Sequence, residues 1–139
     1  MEIVDAGSIE YAEGLELQQS IWQEVVNQKR NSTLIFCEHP PVYTLGKNAK
    51  RAHLLIGQEQ LTQIGASVYQ TDRGGDITFH GPGQLVGYPI IRLEDYHLGV
   101  RRYVDILEDS LIETCKEYDI ISDKIHGLTG IWINDNAGH

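Results

Sequence analysis

The stretch Asp76-Ile77-Thr78-Phe79-His80-Gly81-Pro82-Gly83-Gln84-Leu85-Val86-Gly87-Tyr88-Pro89-Ile90-Ile91 carries the reading on which the fold turns. Asp76 to His80 and Gln84 to Ile91 are strand-like runs, and Gly81-Pro82-Gly83 between them has tight-turn chemistry, so a β-hairpin is expected. Upstream, Ser67 to Thr71 alternates like a strand, Gly57 to Ile64 reads as a helix, and Lys47, Asn48, Lys50 and Arg51 mark a polar loop. Ser32 to Cys37 is a short apolar strand halted by Glu38-His39-Pro40-Pro41, since proline cannot donate to a ladder. Ser8 to about Arg30 reads as a helix capped by Ser8, with Ala12, Leu15, Trp22, Val25 and Val26 at near-helical intervals. Downstream, Val100, Tyr103, Val104, Leu107, Leu111, Cys115 and Tyr118 recur as one helical face, with acids opposite. Gly130 to Ile133 then reads as a strand and Asn134 to Gly138 as a turn with no strand after it. Ile131 to Ile133 is therefore expected to lack its ladder partner and to promote self-association, and the chain to be a truncated single domain, residues 1–139.

The 139 residues carry 20 acidic and 11 basic side chains, a net charge of −9. That balance argues against a nonspecific grip on nucleic acid, which depends on Lys and Arg neutralising phosphates. No apolar run is long enough for a membrane span. The start Met1-Glu2-Ile3-Val4-Asp5 lacks the features of a signal peptide, so a cytoplasmic protein, with neither nucleic acid nor membrane as partner, is expected. Cys37 and Cys115 form no CxxC and have no His at metal-ligand spacing, so both read as buried thiols; no metal and no cofactor is expected.

Five of the 14 glycines fall between residues 74 and 87. Asp72-Arg73-Gly74-Gly75-Asp76 sets charges around a glycine pair, where bare backbone can approach a ligand and amides can face an oxygen. The alternative reading is a pair of tight turns. The spacing matches neither dinucleotide nor P-loop motifs. Arg73, Thr78, His80 and Gln84 would share one strand pair, with Thr78 and His80 on one sheet face. His80 could polarise a carbonyl, act as acid or base, or hold the following turn. Glu38-His39-Pro40-Pro41 reads as a rigid loop start, and His39 is left outside the site.

Arg73 to Pro89 resembles the signature of the octanoyltransferases of lipoate biosynthesis. Glu38-His39-Pro40-Pro41-Val42-Tyr43-Thr44-Leu45-Gly46 and Gly127-Leu128-Thr129-Gly130-Ile131-Trp132 are similar to the same family's patterns, in the same order. The resemblance implies an α/β (α+β) fold, a mixed sheet flanked by helices as in the catalytic core of biotin and lipoate ligases. It also implies octanoyl transfer from octanoyl-acyl carrier protein to a lysine of lipoyl domains, in dehydrogenase complexes or the glycine cleavage H protein. The family's acyl-substrate segment corresponds to Arg73, Gly74, Gly75, Asp76, Ile77, Thr78, Phe79 and His80, with Phe79 where another aromatic is common. Its thioester-forming Cys and activating Lys lie C-terminal to the Gly127–Trp132 pattern. No catalytic residue is therefore assigned here, Cys37, Cys115 and Lys124 included, and the chain alone is expected to be inactive. An adenylate-forming ligase of the same fold and a noncatalytic acyl-binding fragment are the alternatives; no Gly-rich basic ATP motif favours the ligase.

Overall fold

Pro40 and Pro41 have no N–H to give to a ladder, and the chain changes sheet where they stand. The computed structural model describes residues 1–133, in two units: Met1–Ile91, and a second from Arg92 on. In the first, β1 (Glu2–Ser8), α1 (Tyr11–Val26) and β2 (Thr33–Glu38) precede the prolines. They are followed by β3 (Val42–Leu45), a 3₁₀ turn (Arg51–His53), α2 (Gln58–Gln63), β4 (Ser67–Gln70), β5 (Ile77–His80) and β6 (Val86–Ile90). One sheet has the order β1-β2-β6 and the other β4-β3-β5. Both are mixed. β1 with β2 and β3 with β4 are parallel pairs whose connections contain α1 and α2, as parallel pairing requires a crossover.

The hairpin expected around Gly81-Pro82-Gly83 does not form: β6 pairs antiparallel with β2, and β5 with β3. Together these four strands make one long antiparallel ribbon with a break in it. Thr33 faces Ile90 and Cys37 faces Val86 on one side of the break; Val42 faces His80 and Leu45 faces Ile77 on the other. Four residues, Glu38 to Pro41, span the break on one arm and five, Gly81 to Leu85, on the other. Turn-like residues here interrupt the ribbon instead of reversing the chain. Gly83, with φ +83°, sends its N–H to Glu38 Oε2 at 2.8 Å, which ties the two arms across the gap.

Two strands of this unit escaped the sequence reading. β1 buries none of its residues fully and leaves several exposed, and β3 follows two prolines directly. Ser8 ends β1 instead of capping α1, whose N-cap Glu10 makes no side-chain capping bond. The helix buries Gly14, Ile21 and Val25, and Ile21, Val25 and Ile35 form a core packed by Val4, Ala6, Leu17, Tyr88 and Ile90. Leu15, Trp22 and Val26 face solvent. Gly14 costs the helix propensity, and its reason is steric: a Cβ there would lie 3.0 Å from the ring of His39.

In the second unit, α3 (Val100–Lys116) carries β7 (Ser122–Asp123) and β8 (Trp132–Ile133), which pair antiparallel. Trp132 and Ile133 thus find a ladder partner upstream, in Asp123 and Ser122, where the sequence suggested none, while Ile131 stays outside the ladder; the expected turn at Asn134 to Gly138 lies outside the described residues. The residue buried on α3 is Glu108, whereas Val100, Leu111 and Tyr118 are largely exposed. Glu108 Oε1 accepts the Gly130 N–H at 2.7 Å, so an acid, not the apolar stripe, secures the glycine turn before β8.

Gly14→Ala is expected to lower stability by about 1 kcal/mol in urea denaturation, despite a propensity gain of similar size, because the buried His39 ring cannot retreat.

Candidate functional site

The break in the ribbon collects polar side chains that an unbroken ribbon would not bury. Directly opposed residues on paired strands project to one side and successive residues alternate. Val42 with His80 and Thr44 with Thr78 therefore share one face, joined by Tyr69 through its pairing with Thr44. Tyr43 with Phe79 and Leu45 with Ile77 share the other. The expected site is accordingly divided: Thr78 and His80 lie on the Thr44 face, together with the guanidinium of Arg73, which binds Thr44. Ile77 and Phe79 lie on the opposite face, where the Tyr43 and Phe79 rings meet at 4.9 Å between centroids.

His39 is the residue the sequence reading left out. It is 1% exposed and its ring is held from both ends. Nδ1 donates to the Ile9 carbonyl at 2.8 Å, which fixes the tautomer because a carbonyl only accepts, and Nε2 accepts from the Tyr88 hydroxyl at 2.8 Å. The rings of Tyr11, His80 and Tyr88 stand 5.4, 6.0 and 6.0 Å away. Tyr11 also meets Tyr69 at 5.1 Å. Burial pushes the Tyr88 hydroxyl well above the usual tyrosine range, with Cys37 and Tyr11 adding to the shift, and burial also raises Tyr11. Both hydroxyls therefore stay protonated at neutral pH, and that of Tyr88 serves as a neutral donor. The sequence signal was a His placed next to two prolines: the prolines stop the strand, and the ring fills the resulting gap.

His80 borders this cluster, and its Nδ1 donates to Gln84 Oε1 at 2.6 Å, spanning the Gly81-Pro82-Gly83 segment. That bond holds the segment, one of the roles expected for His80, and leaves Nε2 as the ring's acceptor. Arg73 is drawn inward. Nε and Nη2 reach Thr44 Oγ1 at 3.2 and 2.9 Å, Nη2 also donates to the carbonyls of Thr44 (2.6 Å) and Asp76 (3.1 Å), and Nη1 donates to the Gly74 carbonyl (2.8 Å). The backbone returns the grip: Gly46, Lys47 and Asn48 give their N–H groups to the carbonyls of Asp76, Arg73 and Gly75. In a trans peptide the carbonyl and the next amide point opposite ways. With the Arg73 and Gly75 carbonyls turned onto residues 47 and 48, the N–H groups of Gly74 and Asp76 are directed away from them, beside two exposed glycines. Asp76 itself pairs through its carboxylate with His53 Nδ1. The loop needs glycine at 46, where a Cβ would stand 2.5 Å from the Gly75 carbonyl oxygen and 2.8 Å from that of Gly74; at Gly74 a Cβ meets nothing within 4 Å.

Of the two thiols, Cys37 is a poor nucleophile in this structure. Cys37 Sγ lies 3.6 Å from His39 Nε2, the spacing of a thiol and its base, but the residue is 2% exposed and burial pushes the thiol pKa up, against the thiolate. Cys115 is half-buried on α3, more open than the sequence suggested. Lys124 is held by Asp109 Oδ1 at 2.6 Å and the Asp105 carbonyl at 3.1 Å, with Glu108 Oε2 at 3.7 Å; the Asp109 contact raises its pKa and keeps it an ammonium. Among the described residues, no group of three or more His, Cys, Asp and Glu is placed to hold a metal ion, and no helix is long and apolar enough to cross a membrane.

Gly46→Ala should cost about 1–3 kcal/mol, because backbone oxygens cannot yield to the new methyl, whereas Gly74→Ala should stay within about 0.5 kcal/mol; urea denaturation of the two variants checks this. Tyr88→Phe should destabilise on the order of 1 kcal/mol by taking the donor from His39 Nε2. Because Tyr88 ionises less readily folded than unfolded, its contribution is intact below about pH 10 and is lost as pH rises above it. The fall in stability between pH 9 and 11 should therefore be shallower in Tyr88→Phe than in the parent.

Residues 10–137 match the family model of the lipoyl protein ligase A/B catalytic domain. An octanoyltransferase from Bacteroides fragilis is 45% identical over 134 residues, which cover 93% of this chain and 61% of that protein. One from Cytophaga hutchinsonii is 40% identical over 147 residues, covering 96% and 60%. The chain thus spans about three fifths of the length of the curated relatives it matches. A T. acidophilum structure with bound lipoic acid, provisionally assigned as a lipoate protein ligase, shares the fold with a TM-score of 0.62 at 9% identity, over 95% of this chain and 57% of that one. The mixed-sheet architecture expected from the sequence is that of this relative, and the family match covers nearly the whole chain, including the break in the ribbon and the Arg73–Asp76 loop. The chain belongs to the lipoyl protein ligase A/B catalytic domain family.

Proposed function

We propose that this chain is the acyl-binding part of an octanoyltransferase, which moves an octanoyl group from acyl carrier protein to a lysine of a lipoyl domain in the cytoplasm. The identity to octanoyltransferases supports the reaction class, and the observation that carries the placement is the pair of amides, Gly74 and Asp76, turned away from residues 47 and 48 beside two exposed glycines, with His80 on the following strand. A thioester carbonyl needs donors of this kind as negative charge develops on its oxygen, and backbone amides beside a glycine pair supply them with little side-chain obstruction. Tyr11, Tyr69 and Tyr88 offer ring surface on the same face for the apolar chain. Arg73 acts in this scheme as the residue that shapes the loop and not as a direct ligand, since its donors are used on Thr44, Gly74 and Asp76.

The nucleophile of such a transfer would be a cysteine that takes the acyl group as a thioester. Burial and a raised pKa argue against Cys37 in that role, and the family resemblance places the thioester on neither Cys37 nor Cys115, so we assign it to a residue outside this chain. The ligase alternative draws on the family, whose catalytic domain is shared with lipoyl protein ligases, and on the fold likeness to the T. acidophilum protein, which at 9% identity speaks for architecture only; the 40–45% identity to octanoyltransferases favours transfer.

Gly74 gives the sharper test of the loop than Gly75, whose φ of +82° makes any side chain straining. Gly74→Val should weaken octanoyl-pantetheine binding at least tenfold in calorimetry while leaving thermal stability nearly unchanged; equal affinity would remove the loop from the site. Incubation with octanoyl-acyl carrier protein followed by intact-mass analysis should show no octanoyl adduct on Cys37 or Cys115, and an adduct that chases onto a lipoyl domain would overturn the assignment.

A further inference from the structure

The face of the second sheet that does not carry His80 holds a separate feature. A cleft of about 420 Å³ is lined by Tyr43, His53, Leu54, Leu55, Ile56 and Ile77, and Leu55 on its rim is 93% exposed. Beside it, Lys47, Lys50 and Arg51 are exposed, and among the described residues none of the three forms an ion pair. From His39 to Gln58 the chain has no Asp or Glu, in a protein whose net charge is −9. An acidic chain that keeps three cations, free of ion pairs, beside an apolar cleft has a local positive charge there, and such a charge steers an acidic partner to one spot.

We propose that Lys47, Lys50 and Arg51, with the Leu55-rimmed cleft, form the docking surface for an acidic helix of the acyl donor, the carrier protein, which seats an apolar side chain between Tyr43 and Leu55. The inference rests on the octanoyl-transfer reading above. Its location is what recommends it: Lys47 and Asn48 give their backbone N–H groups to the carbonyls of Arg73 and Gly75, so the basic loop is bonded directly to the amide array proposed for the thioester. His53, a wall of the cleft, pairs with Asp76 at the end of the same array. A carrier bound here delivers its acyl arm at the edge of that loop, and the contact it makes with the cleft bears on the residues that hold Asp76.

Association of the chain with carrier protein bearing no acyl group reports docking, and calorimetry with octanoyl-pantetheine reports the acyl site independently. In K47Q/K50Q/R51Q, carrier association at low ionic strength should slow at least tenfold and lose most of its salt dependence, with octanoyl-pantetheine affinity unchanged. Leu55→Asp, at a position too exposed to matter for folding, should speed carrier dissociation at least fivefold. Q19E/S20E/Q23E, which changes net charge equally on exposed positions of α1, should leave association within about twofold. Parent-like association in the first two variants, or equal slowing in the α1 variant, would overturn the surface; slowing confined to a lipoyl domain used in place of the carrier would overturn the occupant. Failure of octanoyl-pantetheine to bind the parent chain would count against the acyl-site reading alone, since docking of the unloaded carrier is scored without it.

Discussion

The ring of His39 is the point through which the first unit is organised. It bonds the Ile9 carbonyl at the start of α1 and the Tyr88 hydroxyl on β6, so it ties the helix entry to the far arm of the ribbon. In a dry interior these bonds cannot be exchanged for water, and a ring left without them would be a costly buried polar group. The helix accepts a glycine at position 14 to let the ring approach, and the strand before it stops at two prolines to let the ring turn in. Around this fixed point stand the rings of Tyr11, His80 and Tyr88, and Tyr11 in turn meets Tyr69.

Much of the element content was legible because it depends on local pattern. β2, β4, β5, β6, α2 and α3 lie close to where alternation, helical spacing and breakers put them. Pairing was not legible, because Gly81-Pro82-Gly83 has the same chemistry whether it reverses a chain or interrupts a strand, and the choice is made by β2 and β3, more than 30 residues away. β1 and β3 were missed for related reasons: one is a half-exposed parallel strand and the other is only four residues long. On α3 the pattern misled, since an acid with a backbone partner was buried while several apolar positions were not.

The candidate site was legible in part. Glycine density pointed to the loop at Arg73–Asp76, and the resemblance extended that to His80. What the sequence could not show is that strand alternation separates Thr78 and His80 from Ile77 and Phe79, or that Arg73 faces inward. His39 was missed because histidine beside proline is ambiguous until its neighbours are known, and those neighbours, Ile9 and Tyr88, are 30 and 49 residues away in the chain.

The ribbon's break also sets an order of assembly. Leu45 and Ile77 are 32 residues apart and Thr33 and Ile90 are 57 apart. Closing the shorter loop is easier by about 0.5 kcal/mol on chain entropy alone, and α2 with β4 lies inside it, adding near-neighbour contacts early. The β3–β5 end is therefore the favoured place for pairing to begin, with the Gly46 to Asn48 clasp on Arg73–Asp76 immediately at its mouth. Because four residues oppose five at the break, zipping cannot run through it, and the β2–β6 end must find its own register against α1. A pairing error in one sheet is thus confined to that sheet, while the loop on which ligand contact is proposed belongs to the end that closes first.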